Sequence, residues 1–201
     1  MPAKMPNKPR AARLPDIDEQ NLSPAQRVMR DAIVTSRGLT SSKLGGPFAV
    51  WLHAPEFGDI VQKLGAHCRY RTALPPRLSE FSILTMARLW RAQFEWFAHA
   101  PIAQKAGVKP DTIRDLKAGR KPRTMAKDEG AIYDFVAELH RTRRVSDKTY
   151  ARVRAVLGDA GMVEFVGLLG YYTLVSMTLN VFRVIPPATE ALPFKEATAK
   201  L

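Results

Sequence analysis

The sequence predicts an all-α fold, on two observations. Apolar residues recur at the three- and four-residue spacing of amphipathic helices along most of the chain. No segment shows the strict alternation between hairpin turns that is typical of strands. The chain has 201 residues, of which 46% are hydrophobic, so it can bury one substantial core. We therefore expect an oligomeric bundle of antiparallel helix hairpins.

Three regions are expected along the chain. Residues 1–20 form a basic, flexible N-terminal arm, residues 21–187 a single helical domain, and residues 188–201 a tail that can lie on a neighbouring subunit. The first helix is expected to begin at Ser23-Pro24, because serine is a preferred N-cap and proline fits the first helical position.

The remaining helices are separated by glycine and proline. The segment 48–55 is expected to be a short helix or turn that proline ends. Longer helices are expected over residues 56–71, 76–99, 111–118, 125–140, 147–157 and 162–182. Two antiparallel hairpins follow, one pairing 56–71 with 76–99 and the other pairing 125–140 with 147–157.

The helix over residues 76–99 carries ionisable residues on a largely apolar face. At about 100° per residue, one stripe passes through Arg88, Glu95 and His99 among apolar residues, and Glu80 lies at its edge. A cation, an acid and a base desolvated together form a candidate catalytic set. The alternative is structural, because Glu95 and His99 at i and i+4 can simply form an ion pair.

Cysteine content and the N-terminus bear on redox chemistry and location. The single Cys68 excludes an internal disulfide and a CxxC pair, and it fits a reducing compartment. The basic N-terminus is not followed by the apolar run of a secretory signal. We expect a cytoplasmic protein.

The net charge of +12 permits an anionic partner but does not locate a binding face. Basic residues gather in the N-terminal arm and around a Gly-Pro turn near residue 120. Few aromatic residues interleave with them, so nucleic-acid binding is the weaker alternative.

The longest apolar stretch covers residues 162–182. Glu164, Asn180 and several small residues interrupt it, which favours a buried or interface helix over a membrane span. Such a surface is too apolar to face water, so we expect a homo-oligomer that uses this helix and the tail.

The segment LSEFSILTMARLWRAQFEWFAHAPIAQKAGV resembles the core motif of the carboxymuconolactone decarboxylase and alkylhydroperoxidase-D superfamily. The resemblance covers roughly residues 48–187. It includes the following further segments: Trp51-Leu52-His53-Ala54-Pro55, the helix 128–139 with Glu129, Val145-Ser146-Asp147, Tyr171-Tyr172 and Leu179-Asn180. It implies the superfamily's helical fold and an assembly of trimers or hexamers.

The peroxidase branch of this superfamily has a Glu, a CxxC pair and a His at places that match Glu80, Ala92, Glu95 and His99. Both thiols are absent here. A thiolate is the nucleophile of that chemistry, so dithiol peroxidase activity is not expected. The sequence resembles the branch without the CxxC pair, and the Glu-x3-His arrangement resembles the decarboxylases.

The resemblance implies a lyase of aromatic catabolism that decarboxylates a small anionic lactone or related carboxylic acid, without a metal or organic cofactor. Glu95, His99 and Glu80 are the candidate catalytic residues, with His99 as proton donor or Glu80 as base. The candidate substrate-binding residues are Arg88, His53, Trp51 and Tyr172. A non-catalytic oligomeric binding protein of the same fold is the alternative.

Overall fold

The structure, a computed structural model, describes residues 11–195. Within that range every regular element is helical, as the sequence predicts. A short 3-10 helix at Glu19–Asn21 precedes eight α-helices. They are α1 Pro24–Arg37, α2 Pro47–Trp51, α3 Pro55–Tyr70, α4 Pro76–Trp90, α5 Gln93–Lys105, α6 Pro110–Lys117, α7 Lys127–Thr142 and α8 Asp147–Phe182.

The predicted start of α1 is confirmed by its cap. The Ser23 hydroxyl accepts from the Gln26 backbone N–H, and the Gln26 side chain accepts from the Ser23 N–H, which completes a capping box. Gly38 ends the helix in the left-handed conformation, with φ of 59°.

The single helix expected over residues 76–99 is wrong, because the chain turns between α4 and α5. Arg91 adopts a left-handed conformation with φ of 48°, and Ala92 is extended. The sequence gives no signal of this turn, because an arginine, and not the usual glycine, adopts the left-handed conformation. Pro101 lies inside α5.

Helix α8 contains a break at Gly158, whose φ of 68° and ψ of −179° are not helical. The break matches the two helices expected over 147–157 and 162–182. Between residues 11 and 195, α8 is the one helix long and apolar enough to be a candidate membrane span. An 18-residue stretch of it has a mean hydropathy of 1.5, and half of that stretch is buried inside the subunit. One side of α8 packs in the core, and the other side is exposed at residues such as Val163 and Val166.

Helix α4 is the centre of the bundle. All ten residues from Leu78 to Ala87 are buried, and the helix packs on α5, α7 and α8. The hairpin expected between 56–71 and 76–99 is wrong, because α3 packs on α1 and α8 instead, and α8 contacts both helices. The second expected hairpin is present as α7 packed on α8.

The two ends of the described chain lie on the domain. Arg13 donates its backbone N–H to Phe182, and Ile17 packs against the core, so residues 11–20 are not the free arm that the composition suggests. The arm's other basic residues, Lys4, Lys8 and Arg10, lie outside the described residues.

The tail also packs on its own subunit. The Gln93 amide donates to the Phe194 carbonyl and accepts from the Phe194 N–H, at 2.7 and 2.9 Å. The Phe194 ring lies edge-on to Trp96, with centroids 5.2 Å apart. The expected docking of the tail on a neighbour therefore does not apply to Phe194, whose apolar ring is already buried. Residues 196–201 lie outside the described range.

Candidate active site

Glu80, Glu95 and His99 converge in the middle of the bundle, because the turn at Arg91 folds α5 back onto α4. Glu80 comes from α4, and Glu95 and His99 come from α5. His99 Nδ1 lies 2.6 Å from Glu80 Oε2, and His99 Nε2 lies 3.1 Å from Glu95 Oε1. The imidazole thus bridges two carboxylates. The Glu95–His99 contact is the i,i+4 pair that the spacing allows.

The burial of this cluster makes its charges interact strongly. Glu80, Glu95 and His99 are 6%, 3% and 6% exposed. Burial alone lowers the pKa of His99, but the charge of Glu95 and the hydrogen bond to Glu80 outweigh it and raise that pKa to about 9. The raised pKa favours the imidazolium at neutral pH, with Nδ1 hydrogen-bonded to Glu80 and Nε2 facing Glu95.

Arg69 joins the cluster from α3, and sequence reasoning missed it. Its Nη2 lies 3.5 Å from Glu80 Oε1, and its guanidinium lies over the Tyr70 ring. Burial opposes the charge of Arg69, but neighbouring tyrosines and Glu80 raise its pKa. No local motif marks this residue, because its contact with Glu80 depends on the way α3 and α4 both pack on α8. With Arg69 included, two cations face two carboxylates.

Aromatic residues form one wall of the site. The Tyr172 ring lies edge-on to His99 at 5.5 Å, Tyr171 lies 5.2 Å from Tyr172, and Trp51 lies 6.5 Å from Tyr171. Burial raises the pKa of Tyr172 well above its usual value, so its hydroxyl stays protonated. Of the two aromatic residues expected to bind substrate, Tyr172 touches the cluster and Trp51 lies behind it.

Gly65 on α3 allows Tyr171 to approach. A Cβ at Gly65 would lie 2.1 Å from the Tyr171 hydroxyl oxygen, so any larger residue would push that ring away. The aromatic wall thus depends on the absence of a side chain at this position.

Two candidate anion-binding residues are not brought to the cluster. Arg88 follows Glu80 by eight residues, or about 12 Å along α4, and its guanidinium lies by Phe194 and Gly119. His53 is exposed, with its Nε2 3.1 Å from the Pro15 carbonyl oxygen. The expectation that Arg88 shares a stripe with His99 assumed one continuous helix. The turn at residue 91 interrupts that helix, so the two residues do not share a face.

His53 instead lines a cavity of about 690 Å³ between the N-terminal segment, α2 and the end of α8. None of the three catalytic candidates lines it. The cluster and this cavity are separate features of the subunit.

The two positions that match the cysteines of the peroxidase motif carry no thiol in this chain. Ala92 is buried at the turn, and Glu95 is paired with His99. Cys68 on α3 is free and buried, and burial raises the pKa of its thiol. A protonated, buried thiol is a poor nucleophile.

The cluster is also a poor match to a metal site. Between residues 11 and 195, no group of three or more His, Cys, Asp and Glu side chains has an arrangement that would hold a metal ion. Both ring nitrogens of His99 already face carboxylate oxygens of Glu80 and Glu95, so neither points to a separate metal position.

Three of the solved structures with a similar fold are the following. An uncharacterised peroxidase-related protein from Ralstonia eutropha, described as an alkylhydroperoxidase AhpD core, aligns with a TM-score of 0.72 and 13% identity, over 89% of this chain and 93% of its own. A peroxidase-related protein from a Silicibacter species aligns at 0.69 and 12%, over 92% and 96%. The chain has the alkylhydroperoxidase-D-like fold.

The third structure is a protein of unknown function from Agrobacterium tumefaciens, for which a role as the antioxidant defence protein AhpD has been suggested. It aligns at a TM-score of 0.62 and 17% identity, over 69% of this chain and 96% of its own. No family model and no curated protein sequence matches this chain. At these identities the alkylhydroperoxidase-D-like fold is shared, and chemistry has to be argued from the site.

Proposed function

We propose that this protein is a cofactor-independent acid–base enzyme that decarboxylates a small anionic lactone or related carboxylic acid, with His99 as the proton donor. The main support is the position of His99 between Glu80 and Glu95, at 2.6 and 3.1 Å, in the buried centre of the subunit. An imidazolium held there carries a proton that the reaction requires. The resemblance of residues 78–108 to the decarboxylases supports the same chemistry.

The proposed step balances without a cofactor. The bond between the carboxylate carbon and the substrate breaks, and its electron pair enters the unsaturated lactone as a dienolate while CO2 leaves. His99 then donates a proton to carbon and becomes neutral. Water restores the proton in the next cycle.

The two ring nitrogens have different tasks in this proposal. Nδ1 makes the shorter contact, to a Glu80 carboxylate that also faces Arg69, so we assign Glu80 and Arg69 to positioning the ring. Nε2 makes the longer contact, to Glu95, and exchanges that partner more readily for substrate. Nε2 is therefore the proposed proton donor, and its N–H faces Glu95 until substrate binds.

Two substitutions test this proposal. Glu95→Gln and His99→Asn should each lower the decarboxylation rate by about 10²-fold or more, and the double variant should be hardly slower than either single one. Residues that act as one unit behave in this way. Small, additive rate effects combined with a large loss of melting temperature would mean that the cluster is only structural.

A second candidate is a non-catalytic oligomeric binding protein of the same fold. Its support is the nearly complete burial of the cluster, at 3–6% exposure, with each carboxylate already paired. A purely structural ion network has these properties. If the protein only binds a ligand, the folded His99→Asn variant should retain that binding. If it is an enzyme, the folded variant should lose the decarboxylation activity.

We also propose a cytoplasmic homo-oligomer, of trimers or hexamers by the resemblance. One face of α8 is exposed and apolar at Val163, Val166, Met177 and Val181, and Gly170 lies in the same stripe. A stripe of this kind is suited to a second copy of the subunit. Sedimentation at micromolar concentration should give a mass that is a multiple of 22.4 kDa, and a monomer alone would contradict the assembly.

Nucleic-acid binding has less support. Arg120 is paired with Asp115, and Lys121 and Arg152 both contact Asp134, at 2.5–2.9 Å. These pairs neutralise part of the basic turn that the composition singles out.

A further inference from the structure

Arg88, near the end of α4, is a cation without an acceptor among residues 11–195. Its Nε atom is fully buried and has no hydrogen-bond partner there. Its guanidinium stacks 5.3 Å from the centre of the Phe194 ring. Arg37 and Arg69 also have a buried Nε without a partner, but each bonds to a neighbouring side chain through another guanidinium nitrogen, whereas Arg88 has no such bond among the described residues. A buried donor without an acceptor is costly, and such groups in folded proteins call for an explanation.

A small cavity of about 260 Å³ lies at this guanidinium. The charged side chains that line it are all arginines, namely Arg88, Arg91 and Arg120, and the lining includes no carboxylate. Tyr133 also lines it, and so does Thr85, whose hydroxyl already donates to the Phe81 carbonyl at 2.8 Å. The charged hydrogen-bond donors of the cavity are therefore all positive, which favours an anionic ligand.

The turn after α6 is shaped around Arg88. Gly119 has φ of 74°, and a Cβ there would lie 2.3 Å from Arg88 Nη2. The turn is closed by bonds from the Gly119 N–H to Leu116 and from the Arg120 N–H to Asp115. A closed turn without a side chain at Gly119 keeps the guanidinium beside the cavity.

We propose that this cavity is a binding site for a small phosphate dianion, either inorganic phosphate or a compact phosphate monoester. Asp115, outside the lining, pairs with Arg120 at 2.6 Å, so two of the three guanidinium charges have no carboxylate partner among the described residues. Two charges match a dianion, and guanidinium groups bind phosphate oxygens in a fork.

The size of the cavity limits the ligand. Sites for drug-sized ligands have volumes of about 300–1,000 Å³, and this cavity is smaller than that range. A nucleotide would not fit inside it. The site is also distinct from the catalytic candidates, because Arg88 lies about 12 Å along α4 from Glu80.

Calorimetric titration of the full-length protein with inorganic phosphate, in chloride buffer of physiological ionic strength, tests this inference. The wild type should show saturable binding, and acetate at the same concentrations should bind at least tenfold more weakly. Arg88→Met should weaken phosphate binding by about tenfold or more, since it removes charge-assisted bonds from the centre of the site. Arg91→Gln, at an exposed lining position, should weaken it less.

Arg154→Met is the matched control, because it makes the same charge change at an exposed arginine that pairs with Asp159. Its phosphate affinity should stay within about twofold of the wild type, as expected for screened surface charge. Absence of saturable phosphate binding would overturn the proposal. Equal weakening by Arg88→Met and Arg154→Met would also overturn it, because it would indicate attraction by net charge alone. Equal affinity for acetate would exclude a phosphate site.

Discussion

The two ends of helix α4 hold charged groups in opposite states. At the N-terminal end, Glu80 is paired with both His99 and Arg69, and every charge of the cluster has a partner. At the C-terminal end, Arg88 has a buried Nε without a partner among residues 11–195, in a cavity whose charged lining is only arginine. The charges at one end are paired within the protein, although Arg69 Nε has no hydrogen-bond partner of its own, and Arg88 at the other end bonds to no acceptor among residues 11–195.

The comparison teaches that burial of charge has to be interpreted through its partners. A buried pair is costly to break, because removing one member leaves the other unpaired. A buried group that already lacks a partner has little to lose on removal, so it points to a ligand rather than to stability. The substitutions below therefore have opposite expected effects at the two ends.

His99→Leu should have the largest effect on stability. It leaves Glu80 and Glu95 buried without the cation between them, and loss of one partner from a buried pair costs about 3–5 kcal/mol in the free energy of unfolding. Arg88→Met should stay within about 1 kcal/mol of the wild type, because it replaces an unpartnered donor by an apolar chain of similar length. Urea denaturation of both variants measures the difference. Equal losses of unfolding free energy in the two variants would contradict the difference proposed between the two ends of α4.

The pH dependence of stability should reflect His99. Its folded-state pKa of about 9 lies above the ordinary value of 6.5, so its contribution is fully present below pH 6.5 and is lost as pH rises through 9. The loss is on the order of 3 kcal/mol. It should appear in urea melts of the wild type and be absent from His99→Asn, which also serves as the control for other groups that titrate above pH 9. The same decline in both proteins would show that His99 is not responsible.

Gly119→Ala should have a moderate effect that depends on Arg88. The new Cβ meets Arg88 Nη2 at 2.3 Å, and φ of 74° is strained for alanine, so we expect a loss of about 1–2 kcal/mol. In an Arg88→Met background part of this loss should disappear, because the flexible methionine yields to the new methyl group. Full additivity of the two substitutions in a double-mutant cycle would mean that the turn is not shaped around Arg88.

Cys68→Ser should have the smallest effect on chemistry. Ala92 and Glu95 occupy the positions of the peroxidase cysteines, and Cys68 is a buried thiol of raised pKa. Peroxide consumption with a dithiol donor should be negligible in both the wild type and the variant. Robust turnover that the substitution abolishes would contradict this account of the site.

The sequence predicted the helical class and the pairing of Glu95 with His99, because both depend on local periodicity. The stripe did not bring Glu80 to the pair, because Glu80 would lie about 22 Å from Glu95 along one continuous helix. The turn at Arg91 brings it to His99. The turn at Arg91 was missed because an arginine adopts the left-handed conformation where glycine is the usual signal. Arg69 was missed because its contact with Glu80 depends on the packing of both α3 and α4 on α8, which no periodic pattern encodes. The same turn explains why Arg88 was placed with His99 although it belongs to another region.

The ionisation of His99 is the central claim, and the titration of its imidazole tests it most directly. The chain has four histidines, so 15N-histidine labelling gives few NMR signals, and comparison with His99→Asn assigns the one of interest. The His99 ring should remain an imidazolium through neutral pH and titrate at about 9. A His99 ring that titrates at or below 6.5 would contradict the account, because the two carboxylates would then not hold a proton donor at the centre of the bundle.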